Sequence, residues 1–203
     1  MSTQIWYPKS TTGRTAPMWE DRANAAFRYT GVETARVAIP YPLFTGGTAT
    51  TSTPTTASGR IGAVVLTTAL ELDNITYNAS IAGSANAVER IALYTMDGGT
   101  LLVNVTDAVG ANTGERVVAV SPSVLLLPAM YYIFFCLSSG TTSPDVSTWA
   151  STASIFLAGA SGEPDIEGAI DITGGAAPTT FTVTAITTPG VNATLMSRWD
   201  GTG

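Results

Sequence analysis

The chain has 203 residues, a net charge of −6 and a pI of about 4.4, with 45% hydrophobic but only 12% charged residues. Soluble domains carry roughly 25% charged residues, so Thr and Ser must coat this surface or partners must cover part of it. With one lysine, Lys9, and eight scattered arginines, it lacks the basic patch that binding nucleic acid or an anionic membrane requires.

Residues 1–57 differ from the rest. Pro8, Pro17, Pro40 and Pro42 punctuate them, and proline fixes φ and cannot donate to a ladder, so neither a long helix nor a continuous strand fits. Trp19–Tyr29 is rich in helix formers and predicts one short helix in an otherwise extended N-terminal arm. Thr48–Gly59 reads as a Thr-rich linker. Trp6, Tyr7, Trp19, Phe27, Tyr29, Tyr41 and Phe44 are too many aromatics for a segment that stays in water. They are candidate interface residues, lying on a neighbouring surface or wrapping their own domain.

From residue 58 to 203 the pattern is all-β. Strands are expected at Ile61–Leu70, Leu72–Ile81 and Val88–Met96, the last turning at Asp97-Gly98-Gly99 into Leu101–Thr106 as a hairpin. Arg116–Val120 and Val124–Leu127 flank a Ser-Pro bend, and Ala129–Leu137, Ser147–Ala158, Ile166–Ile172 and Phe181–Thr187 complete the set. Short strands with turn signals every 8–12 residues indicate an antiparallel β-sandwich. In Ala129–Leu137 both faces are apolar, with Met130, Tyr132, Phe134 and Cys136 opposed to Tyr131, Ile133, Phe135 and Leu137. One face belongs to the core. The other needs the arm, a loop or a second subunit, which makes Tyr131, Ile133 and Phe135 candidate interface residues too.

The residue inventory points away from enzyme chemistry. Histidine is absent, which removes Ser-His-Asp and Cys-His catalysis and the common zinc sites. The single cysteine, Cys136, permits no intramolecular disulfide and reads as a core residue. Glu163, Asp165, Glu167 and Asp171 form the densest acidic group but lack the Gly-punctuated spacing of a calcium loop. No cofactor or metal is expected. Met1–Ile5 has neither the basic region nor the apolar stretch of a signal peptide, and no window reaches the ~18–20 apolar residues of a membrane span, so synthesis and folding in a cytoplasm are expected.

Glu89-Arg-Ile-Ala-Leu-Tyr-Thr-Met-Asp-Gly-Gly-Thr-Leu-Leu102 and Leu125-Leu-Leu-Pro-Ala-Met-Tyr-Tyr-Ile-Phe-Phe-Cys-Leu137 carry a resemblance. The first is similar to the arginine, aliphatic-tyrosine, Asp-Gly hairpin element of jelly-roll-like β-sandwich modules in tailed-bacteriophage virion proteins. The second resembles its partner, an apolar-Pro step into a Tyr-Tyr strand, although Ala129-Met130 stands where that family often carries Gly. The resemblance covers residues 60–160. It implies a homotrimer in a virion, as a capsid decoration (cement) protein on the major capsid protein or another virion protein. Its alternative is a tail-fibre, baseplate or head-fibre module that binds a receptor or host glycan, with Trp149 or Trp199 as a stacking platform; the plainer reading puts Trp149 in the core and has Trp199 anchor the C-terminus.

Overall fold

The computed structural model describes residues 37–38, 41–42, 48–97, 99–150, 167–182, 185–186 and 194–201. All lie in the unit Thr34–Gly203. The strands are β1 (Val37–Ala38), β2 (Tyr41–Pro42), β3 (Thr48–Ser52), β4 (Ser58–Leu66), β5 (Leu70–Ile81), β6 (Val88–Thr95) and β7 (Leu101–Asp107). They continue as β8 (Gly114–Leu126), β9 (Ala129–Ser139), β10 (Asp145–Ala150), β11 (Glu167–Asp171), β12 (Thr194–Leu195) and β13 (Ser197–Gly201). No helix among the described residues is long and apolar enough to cross a membrane.

Two antiparallel sheets form the expected β-sandwich. In the first, β5 pairs with β8 along one edge and with β13 and then β10 along the other. β1 extends this sheet beyond β13, while β3 and β12 flank β10. The second sheet runs β11-β4-β9-β6-β7, with β2 also on β4. Leu70 and Leu72 of β5, and Ile75 after a register shift between Leu72 and Asn74 that switches the inward parity, lie opposite Ile91, Leu93, Ile133 and Phe135 of the second sheet, with Trp199 of β13 among them. All are buried, and each large apolar side chain removed from water stabilises the fold by about 1.5–3 kcal/mol. Gly62 allows the two layers to meet closely at one point, since a Cβ there would overlap the backbone of Thr194.

A second apolar layer lies outside the second sheet. Ile61, Ala63, Ala92, Tyr94, Tyr132, Phe134 and Cys136 point away from the first core, and Ile170, Phe181 and Ile186 cover them. Residues 172–182, with Ala185 and Ile186, therefore act as a strap over this face. The Phe181 ring meets Tyr94 and Tyr132 edge-to-face, at centroid distances of 5.1 and 5.3 Å.

Several expectations need correction. Tyr131, Ile133 and Phe135 are not interface residues: they face the inter-sheet core at 6%, 0% and 1% exposure. The other face of β9 is closed by the chain's own strap, which is why the strand is apolar on both sides. Phe181, Thr182, Ala185 and Ile186 are not in a strand. Their apolar members insert into the outer layer from a turn in which Ala185 N donates to Thr182 O at 2.8 Å. The Thr-rich tract is not simply a linker, because Thr48–Ser52 pairs with β10 residue for residue. With β1 and β2 also in the sheets, paired segments begin well before the expected boundary at 57/58.

The Ser-Pro bend does not split two strands. β8 runs continuously through a cis Ser121–Pro122 peptide, and its register against β5 shifts between Leu72 and Asn74. The hairpin stands as expected. Asp97 Oδ1 accepts hydrogen bonds from Thr95 Oγ1 at 2.5 Å and Gly99 N at 2.9 Å, which holds its carboxyl below the usual carboxylate range.

Candidate interaction surface

Among the described residues, two groups of polar side chains are engaged inside the fold. Arg90 sits on β6 among residues that face the strap. Its Nε donates to Gly175 O at 2.9 Å, Nη1 to Asn104 Oδ1 at 2.8 Å and Nη2 to Ser138 Oγ at 3.0 Å. Three acceptors on three segments are satisfied by one planar fork, a geometry lysine cannot match. Tyr94 Oη donates to Pro178 O at 2.6 Å, and burial raises its pKa. Cys136 Sγ reaches Gly175 O at 3.5 Å, and burial pushes its thiol up to about 12, far from a reactive thiolate. Gly175 itself adopts φ 67° and lies against the Leu137 and Ser138 carbonyls, where no side chain fits.

A second polar group closes one end of the inter-sheet core. Arg116 of β8 grips Asp107 of β7 with two bonds of 2.8 Å, and Tyr77 Oη of β5 donates to the same carboxylate at 2.9 Å. Beside them Glu89 of β6 is 1% exposed. Its Oε1 accepts from Ser143 Oγ at 3.2 Å, and Oε2 has no hydrogen-bond partner among the described residues. Burial, reinforced by the Asp107 charge, pushes the Glu89 carboxyl up to about 8, against the lowering effect of Ser143. Burial also raises Tyr77, with Asp107 adding to the effect. Glu89 was legible in principle, because it shares parity with Ile91 and Leu93 and so must point inward.

The outer face of the first sheet is different. Val118, Val120 and Leu126 of β8 point inward, which turns Glu115, Val117 and Leu125 outward. Thr76 lies opposite Val117, Asn78 opposite Glu115, and Glu71 opposite Leu125. Trp199 points inward from β13 and is fully buried, so it is not a stacking platform, and Arg198 and Asp200 point out. Arg198 Nε bonds Asp200 at 3.1 Å, and its Nη1 lies 3.8 Å from Glu115. Val117 and Leu125 are 58% and 63% exposed, and Val37 of β1, opposite Asp200, is 53% exposed. No strand among the described residues pairs with the free edge of β8. Apolar and acidic side chains thus interleave on an open face.

Trp149 belongs to this outer side of the first sheet. Its neighbours Val146 and Thr148 are buried, Ser147 accepts a bond from Asn78 Nδ2 at 2.9 Å, and Trp149 is half-buried. Trp6, Tyr7, Trp19, Phe27, Tyr29 and Phe44 lie outside the described residues, as does the expected helix at residues 19–29; of Tyr41 only the backbone, in β2, is described. Glu163 and Asp165 are likewise outside, and among the described residues no group of three His, Cys, Asp or Glu is placed to hold a metal ion.

No protein-family model and no curated protein matches the sequence. Among solved structures, a chain from the infectious bursal disease virus Gx strain is similar at 13% identity and a TM-score of 0.19. The match covers 82% of this chain and 41% of that one, so the chain spans less than half of the viral chain's length. A likeness at this level carries no argument about fold or function.

Proposed function

We propose that the chain is a non-enzymatic structural protein of a bacteriophage particle. In this reading it decorates and cements the capsid as a homo-oligomer, most simply a homotrimer, bound to the major capsid protein or another virion protein. The observation that carries the reading is the use made of the residues in the resembling segments. Arg90 and Tyr94 fasten the strap, Tyr132, Phe134 and Cys136 lie beneath it, and Tyr131, Ile133 and Phe135 fill the inter-sheet core. Each acts as architecture. The open acidic and apolar face then offers contact area, which is what a cementing protein needs.

Density for the sandwich on the capsid surface in electron cryomicroscopy of intact particles tests the proposal. Particles whose heads carry none, with the chain confined to the tail, would overturn it. A second test removes residues 1–36, ending before β1 so that every strand among the described residues is kept; the shortened chain should stay folded but no longer decorate particles.

The glycan-binding alternative is favoured by one observation, the half-buried Trp149 on the open side near Ser147 and Asn78. An aromatic ring beside amide and hydroxyl groups can stack on a sugar. A glycan array with the purified chain separates the readings, since the decoration role predicts no signal.

A further inference from the structure

We propose that the open face of the first sheet is the docking site for residues 1–36 of a second copy of this chain. The inference does not depend on where the protein resides, so it stands or falls separately from the virion reading.

Charge is divided unequally along the sequence. Residues 1–36 hold five of the nine cations (Lys9, Arg14, Arg22, Arg28 and Arg36) and three of the fifteen acids (Glu20, Asp21 and Glu33). That segment is therefore net +2, and the remaining residues, with four arginines and twelve acids, are net −8. Two of those four arginines, Arg90 and Arg116, are engaged in the internal bonds described above. The open face carries Glu71, Glu115 and Asp200 against Arg198. A segment of positive charge and a face of negative charge on the same polypeptide attract between copies as well as within one.

The apolar groups match in the same way. Residues 1–36 contribute Trp6, Tyr7, Trp19, Phe27 and Tyr29, and the face interleaves its carboxylates with exposed Val37, Val117 and Leu125. Aromatic and Arg side chains are the residue types that anchor protein interfaces. Such a contact joins two different surfaces, so it is heterologous and closes a ring when the rotation permits. The β8 edge borders the same face, but Pro122 and the register shift interrupt it. These features suit a side-chain interface rather than added strand pairing.

Sedimentation of the full-length chain tests the inference. The wild type should self-associate at about 50 mM salt and dissociate toward about 500 mM, as screening weakens the attraction. Reversing the segment (Arg14→Glu, Arg22→Glu, Arg28→Glu) or the face (Glu71→Lys, Glu115→Lys) should each weaken association by about tenfold or more. Mixing the two variants in equal amounts should restore assembly, because each segment then meets a face of opposite charge on the other copy. Should a reversed variant fail to fold, glutamine at the same positions gives the same comparison with smaller changes. A monomer at every salt concentration would overturn the inference. So would association indifferent to both reversals, or a mixture that stays unassembled, the result expected if each segment binds only its own sandwich.

Discussion

Arg90 Nε donates a 2.9 Å hydrogen bond to the carbonyl of Gly175, a residue 85 positions further along the chain. This contact fixes the strap to the second sheet, and the same oxygen receives Cys136 Sγ. The outer apolar layer depends on it, because Phe181 can fill the space between Tyr94 and Tyr132 only while the strap is held down.

Replacing Arg90 separates its charge from its geometry. Arg90→Ala should destabilise the fold by about 2–4 kcal/mol, as three charged hydrogen bonds are lost and their acceptors are only partly rehydrated. Arg90→Lys should recover less than half of that, since an ammonium cannot reach three acceptors on three segments. Urea unfolding of the three proteins gives the order, and hydrogen exchange should rise first in residues 172–182.

Gly175→Ala attacks the same contact from the other side. A Cβ at φ 67° costs about 1 kcal/mol in backbone strain, and the overlap with the Leu137 and Ser138 backbone adds to it. The strap should lift. Cys136, inert to a thiol reagent in the wild type, should then react at least about tenfold faster without global unfolding.

Glu89 makes stability depend on pH in a definite direction. Its carboxyl is raised from 4.5 in the unfolded chain to about 8 in the folded one, so folding binds a proton between those values. Its contribution is fully present below about pH 4.5 and is lost as pH rises through about 8, with a maximum slope of about 1.4 kcal/mol per pH unit. Glu89→Gln should remove this slope and exceed the wild type in stability at pH 9. Unfolding both proteins at pH 5, 7 and 9 and taking the difference gives the contribution of Glu89.

Asp107→Asn should be the most damaging conservative change in the polar end of the core. It leaves the Arg116 guanidinium facing a neutral amide and weakens the bond from Tyr77, at a cost of about 2–4 kcal/mol. Arg116 is partly exposed, which keeps the effect below that of a fully buried pair. Thermal unfolding of this variant and of Arg116→Met tells an uncompensated charge from lost packing.

The sandwich was legible because period-two alternation and turn residues act locally. Asp97 with Gly99 specifies the β6–β7 turn from within five residues. Harder to read was anything that depended on which distant segment covers a face. Both sides of β9 are apolar in the sequence, and that pattern correctly demands two covers, but it cannot say that one is Phe181 and Ile186 rather than another subunit. Those two residues mimic a strand because an inserted turn also spaces its apolar anchors. Thr48–Ser52 carries almost no hydrophobic signal, and its pairing with β10 follows from backbone hydrogen bonds that any side chain permits. Ser197–Gly201 offers only one large apolar inward residue, Trp199, too few to show an alternation. The open face left no signature at all until the inward parity of its neighbours was known.

The pairing of Val37 with Asp200 and of Ala38 with Trp199 joins segments more than 160 positions apart. Until Trp199 has been synthesised, β5 lacks the neighbour along half of one edge, and Leu72 and Ile75 lack the ring they pack beside. Such long-range closure carries a high entropic cost before any contact rewards it, so folding belongs to the slow millisecond-to-second class. A growing chain must therefore keep two unfinished apolar surfaces from aggregating while it waits. Its dense Thr and Ser coat, together with the bulged, proline-bearing β8 edge, suits that waiting period as well as the finished molecule.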